Sequence, residues 1–115
     1  MAKTDELRIA PEQLVNAWQE TLPRTMNASD RCVVLRDEAD DKALRVTIHS
    51  AGHTGYEFDF KVTYVDSREV KVELIDVEKD NVTVDERTDI IQQLIDDYKR
   101  HLHECAQALQ QLTHA

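Results

Sequence analysis

Four side chains in this sequence have the types and local spacings of a zinc site. His49 and His53 form an H-x3-H pair, and His101 and Cys105 form an H-x3-C pair on one face of an expected helix. Imidazole and thiolate are the ligands that a tetrahedral zinc ion takes, but all four must converge within bonding distance. Cys105 falls about twenty residues into its helix, or roughly 30 Å from the helix start at 1.5 Å per residue. His49 precedes, and His53 lies in, a loop at that same start. The two pairs are therefore expected at opposite ends of the domain, and no metal ion is expected. Cys105 belongs to an apolar stripe, where a thiol acts as a small hydrophobe.

Other constellations fail on similar grounds. The only two glycines, Gly52 and Gly55, share the loop Ser50-Ala51-Gly52-His53-Thr54-Gly55. A glycine-rich loop holds phosphate where it opens a helix, whereas this one joins two expected strands and lacks the lysine of a phosphate-binding loop. Turn chemistry accounts for both glycines, so no cofactor is expected. Ser50, His53 and Asp59 have the side chains of a nucleophilic triad without the strained elbow that exposes the serine. Asp96 and Asp97 are helix neighbours that point about 100° apart, so they cannot share a proton as a dyad. Asp96 with Arg100, and Arg100 with Glu104, have the i,i+4 spacing of a solvated helix face. Cys32 lies in an apolar strand, which raises a thiol pKa rather than activating it. No enzyme is expected.

The elements that position these residues follow from hydrophobic periodicity. Pro11 suits a first helical position, Ile9 and Leu14 occupy the two places of a hydrophobic staple, and Leu14, Val15, Trp18 and Leu22 form a stripe. Pro23 is expected to end this helix. From Arg31 to Val77 the period becomes two. Leu44, Val46 and Ile48, then Tyr56, Phe58, Phe60, Val62 and Tyr64, then Val70, Val72 and Leu74 alternate with polar residues. This predicts strands with one buried and one wet face. A less regular first strand is expected over about Arg31 to Asp37, with polar turns at Glu38 to Lys42, Ser50 to Gly55 and Asp66 to Arg68. Glu57-Asp59-Lys61 and Lys71-Glu73 read as ion-pair patterning on the wet face. Thr83 and Glu86 form a capping box, after which Ile91, Leu94, Ile95, Tyr98, Leu102, Cys105, Leu109 and Leu112 recur at helical spacing.

The expected fold is α+β: a two-layer sandwich in which a four-stranded antiparallel meander is flanked by an N-terminal and a long C-terminal helix, in the order α-β-β-β-β-α. In a meander the last helix starts beside the Ser50 to Gly55 loop and runs towards the Asp66 to Arg68 turn. One domain is expected over residues 1–115, with residues 1–9 frayed.

Composition narrows the function. The 115 residues carry 23 acidic and 14 basic side chains, a formal net charge of -9. With a pI near 4.9, nonspecific binding to nucleic acid or an anionic membrane is disfavoured. Hydrophobic residues make up 41% of the chain, enough for a core, yet no run approaches the length of a membrane span. Met1 to Glu6 is charged where a signal peptide is apolar, and two cysteines make no disulfide framework. A cytoplasmic location is therefore expected. The Asn27-Ala28-Ser29 and Asn81-Val82-Thr83 sequons are accordingly read as chance. The element order and low pI resemble, in shape and charge alone, small acidic secretion chaperones and toxin-immunity proteins, whose strands and motifs this chain does not reproduce.

Two surface features stand out positively. Glu38, Asp40 and Asp41 form the one concentrated acidic patch, a candidate protein contact. A final helix of about thirty residues spans roughly 45 Å against roughly 33 Å for a ten-residue strand, so Leu109 and Leu112 are expected to overhang and meet a partner or a second copy. The function expected is a non-enzymatic protein-interaction module that is adaptor-, chaperone- or inhibitor-like and self-associates as a homodimer. The alternative is a small-ligand binder whose pocket between sheet and helices is lined by Trp18, Tyr56, Phe58, Phe60 and Tyr64.

Overall fold

The computed structural model describes Leu7 and residues 9–26, 30–50, 56–79, 82–83 and 89–113. The loop holding Gly52, His53 and Gly55, and most of the Thr83 to Glu86 box, lie outside the described residues. The elements run α1 (Pro11–Thr25), β1 (Arg31–Arg36), β2 (Ala43–His49), β3 (Tyr56–Tyr64), β4 (Val70–Lys79), β5 (Val82–Thr83), α2 (Asp89–Ala108) and α3 (Gln110–Thr113). Strands β1 to β5 form one antiparallel sheet in sequence order. The meander and its flanking helices are those expected from periodicity.

Both helices pack on one face of the sheet, and the core lies between the layers. Leu14, Trp18 and Leu22 of α1 and Ile91, Ile95, Tyr98, Leu102 and Cys105 of α2 meet Val34, Leu44, Val46, Ile48, Phe58, Phe60, Val62, Tyr64 and Val77 of the sheet. All the aromatics named are buried except Tyr56, which packs at the core's margin. Trp18, Phe58, Phe60 and Tyr64 are buried in the core between the layers.

The structure differs from the periodicity in four places. First, α1 runs through Pro23 to Thr25. A proline here forfeits one backbone bond, but buried Leu22 holds the last turn, and Thr25 Oγ1 donates to the Leu22 carbonyl at 2.9 Å and to the His101 carbonyl at 3.3 Å. Second, a fifth strand, β5, pairs with Glu78 and Lys79. At two residues it is too short for alternation to announce it. Third, β4 carries a bulge: Asp59 faces Asp76 and Phe60 faces Leu74, leaving Ile75 as the extra residue. Strict alternation after Val70, Val72 and Leu74 would turn Asp76 into the core. The extra residue reverses the parity, so Val77 is buried instead.

Fourth, the C-terminal helix does not overhang. It stops at Ala108, where the Leu109 amide is shared between the Cys105 and Ala106 carbonyls at 3.2 Å each. The chain then folds onto the β3–β4 turn. Thr113 is buried and its hydroxyl donates to the Ser67 carbonyl at 2.8 Å, while Gln110 Nε2 donates to the Arg68 carbonyl at 3.4 Å. Leu109 packs against the core and Leu112 is half-buried. These polar anchors give the last turn partners within its own domain, so the helix need not run on straight past the sheet.

β1 is an edge strand, and α1 closes part of that edge. Gln19 Nε2 donates to the Cys32 carbonyl at 3.1 Å and its Oε1 accepts from the Val34 amide at 2.8 Å, so one side chain takes the place of a neighbouring strand. Gln19→Ala is expected to lower stability by about 1–3 kcal/mol, since it strands two part-buried backbone groups. Urea denaturation measures this, and a change below about 0.5 kcal/mol, the scatter of ordinary surface substitutions, contradicts the assignment.

Candidate interaction surfaces

The residues singled out in the sequence are spread over both faces of the sheet, and His53 lies outside the described residues. His49 lies on the face of the sheet away from the helices, 3.4 Å from Glu57 Oε1, while Cys105 is in the core on the other side. His101 Nδ1 contacts Glu104 Oε1 at 2.9 Å. Ser50 is buried and hydrogen-bonds Tyr98, whereas Asp59 accepts from Thr47 Oγ1 at 2.7 Å on the opposite face. Arg100 Nη2 pairs with Asp97 Oδ1 at 3.6 Å, an i,i+3 pair, rather than with Asp96 or Glu104. Among the described residues no group of three or more potential ligands could hold a metal ion. Both cysteines are free, and burial raises their thiol pKa values.

The acidic turn is largely spent on its own geometry. Asp40 Oδ1 accepts from the Lys42 amide at 2.9 Å, and Asp41 Oδ1 meets Arg36 Nη2 at 3.0 Å. Asp37 is buried, accepts from the Ala39 amide at 2.8 Å, and lies 3.8 Å from Lys61 Nζ. Glu38 is exposed on the rim of an open groove of about 350 Å³ lined also by Leu35, Arg36 and Arg45. The patch expected at Glu38, Asp40 and Asp41 is thus interleaved with Arg36 and Lys61.

A stronger acidic concentration comes from strand register. On the face that neither helix covers, Glu57 stands opposite Glu78 and, one row on, Asp59 stands opposite Asp76. Like charges directly opposite in an antiparallel pair repel. The proton affinity of Glu78 is raised, first by desolvation and then by Asp76, Asp59 and Glu57. Lys61 stands opposite Glu73 in the next row, with Arg45 and Leu35 beyond it. The face thus has an acidic quartet at one end, basic side chains at the other, and an apolar strip on β1 where Val33 is 44% and Leu35 59% exposed. In the sequence Asp59 is next but one to Lys61 and suggested ion-pair patterning; only the register and the bulge reveal that its cross-strand neighbour is Asp76.

A second open groove, of about 610 Å³, separates α2 from the start of β4 and is lined by Arg68, Glu69, Val70, Arg100, His103 and Gln110 among others. The core-side residues of β4 next to it, Val70, Val72 and Leu74, are only half-buried. No helix among the described residues is long and apolar enough to cross a membrane. Comparison of the chain with protein-family models, with curated proteins and with solved structures gives no match.

Proposed function

We propose that this protein is a cytoplasmic, non-enzymatic interaction module that offers the uncovered face of its sheet to a protein partner. The observation that carries this reading is the placement of Asp59 against Asp76 and Glu57 against Glu78 on that face. Such pairs disfavour the isolated fold, and conflicts between local chemistry and fold concentrate at functional surfaces. A segment of a partner bearing basic side chains relieves the repulsion, while Val33 and Leu35 supply apolar contact beside it.

The test separates binding from folding. Asp76→Asn keeps the oxygen that accepts from the Val77 amide at 2.9 Å and removes the charge. At low salt this variant is expected to be more stable than the natural protein by about 0.2–1 kcal/mol. In affinity purification it is expected to lose a stoichiometric protein partner that the natural chain retains. A partner held equally by both chains, or no stoichiometric partner for either, overturns the reading.

A further inference from the structure

We propose that two copies of this chain pair edge to edge through β4, antiparallel and centred on Val72, joining the two five-stranded sheets into one. This goes beyond the partner surface above, which lies on the sheet face, and does not depend on it.

The edge is open where it matters. β5 covers β4 only at Glu78 and Lys79, and among the described residues no strand lies beside Val70 to Val77. The direction of its backbone groups follows from the register. Tyr64 donates its amide to Lys42 and Tyr56 accepts from Ser50, so the even-numbered residues of β3 bond to β2 and the odd-numbered ones to β4. Lys71 and Glu73 stand opposite Thr63 and Lys61 and bond inward. Val70, Val72 and Leu74 therefore direct both amide and carbonyl to the free side.

A two-fold axis at Val72 uses all of these groups. The two Val72 residues exchange a pair of hydrogen bonds, and each Val70 exchanges another pair with Leu74 of the second copy. The half-buried side chains of Val70, Val72 and Leu74 then meet their counterparts on the helix side of the sheet. On the other face each Lys71 comes opposite Glu73 of the second copy, both being exposed and already 4.0 Å apart within one chain. Charged residues on an edge commonly deter pairing. Here they select a register: centring on Lys71 or on Glu73 sets like charges against each other, and centring on Leu74 sets Val72 against Asp76. Centring on Val70 sets Val72 against Arg68, so the Val72 axis is the one that matches apolar with apolar and acid with base throughout the stretch. The bulge at Ile75 and then β5 close the edge beyond the paired stretch, which favours a closed pair over an open fibre.

Three chains test this by native mass spectrometry and light scattering. Val72→Pro removes an amide that faces the free side and so breaks no bond within the monomer. Lys71→Glu and Glu73→Lys each set like charges across the axis. The natural chain is expected to dimerise, and each variant to raise the dimer Kd on the order of tenfold or more, with an unchanged far-UV spectrum. An equimolar mixture of Lys71→Glu and Glu73→Lys is expected to recover a heterodimer, because each then faces the opposite sign. A natural chain that stays monomeric at high micromolar concentration overturns the proposal. So does a dimer that survives Val72→Pro but is lost in Leu109→Asp with Leu112→Asp, and so does a mixture that fails to pair.

Discussion

Truncating Trp18 to alanine is expected to cost about 3–5 kcal/mol, the range for removing a fully enclosed large aromatic side chain. That is a large share of the roughly 5–15 kcal/mol that holds a domain folded. Trp18 is 0% exposed and is the only tryptophan. Its indole N–H donates to the Tyr64 hydroxyl at 3.0 Å, with the rings edge-to-face at 6.4 Å and 86°. Two effects therefore combine, a cavity between α1 and the sheet and the loss of a buried donor. Trp18→Phe shifts the balance between them: it keeps a six-membered ring in place, so the cavity is smaller, and removes the donor, for about 1–3 kcal/mol. Urea unfolding followed by circular dichroism measures both. A loss below about 1 kcal/mol in Trp18→Ala means that α1 does not dock as described. In the natural chain the same residue reports folding, and its emission is expected to shift to the red in one step as the helix leaves the sheet.

Raising the pH above 9 is expected to unfold the protein progressively, through two groups at this same layer boundary. Burial pushes the Cys105 thiol up from 9.0 to about 12, with Cys32 adding to it. Burial likewise pushes the Tyr64 hydroxyl up from 10.0 to about 12. The Trp18 hydrogen bond opposes that rise, and Cys105 reinforces it. Both groups are neutral when protonated, so the folded state keeps its protons while the unfolded chain loses them. Their contribution to stability is complete below pH 9 and is lost as pH climbs from 9 to 12. Each pH unit removes about 1.4 kcal/mol through Cys105 from pH 9 and through Tyr64 only from pH 10. With two mutually sensitive sites the total is on the order of 5 kcal/mol by pH 12. Tyr98 and Cys32 shift in the same direction, also through burial first. Urea midpoints at pH 7, 9 and 10.5 check the slope, and Cys105→Val is expected to shallow it while leaving the pH 7 midpoint little changed. A midpoint that is flat from pH 8 to 11 contradicts the burial of both groups.

The parts of the fold legible from sequence are those in which one periodicity persists. In β3, Phe58, Phe60, Val62 and Tyr64 all reach the core. In α2, Ile91, Ile95, Tyr98, Leu102 and Cys105 do the same. Ile9 and Leu14 sit on either side of the unsatisfied helix start as a staple requires, with Ala10 supplying no side-chain cap. Each pattern is long enough for the preference of apolar side chains to leave water to dictate a single local geometry. The candidate surface was harder to read. Glu38, Asp40 and Asp41 are conspicuous as a run, yet neighbours in a turn bond to one another and to the turn's own amides. Glu57, Asp59, Asp76 and Glu78 are scattered in the chain and meet only because two strands align.

The sequence by itself therefore determined the class and order of the elements and the faces they bury. Local periodicity and helical rise suffice for these, being properties of single segments. The tertiary structure decided the bulge at Ile75, the strand β5, the continuation of α1 through Pro23 and the docking of Thr113 on Ser67. Each depends on a bond or a register between segments far apart in the chain, and such pairings leave no periodic trace in either segment alone.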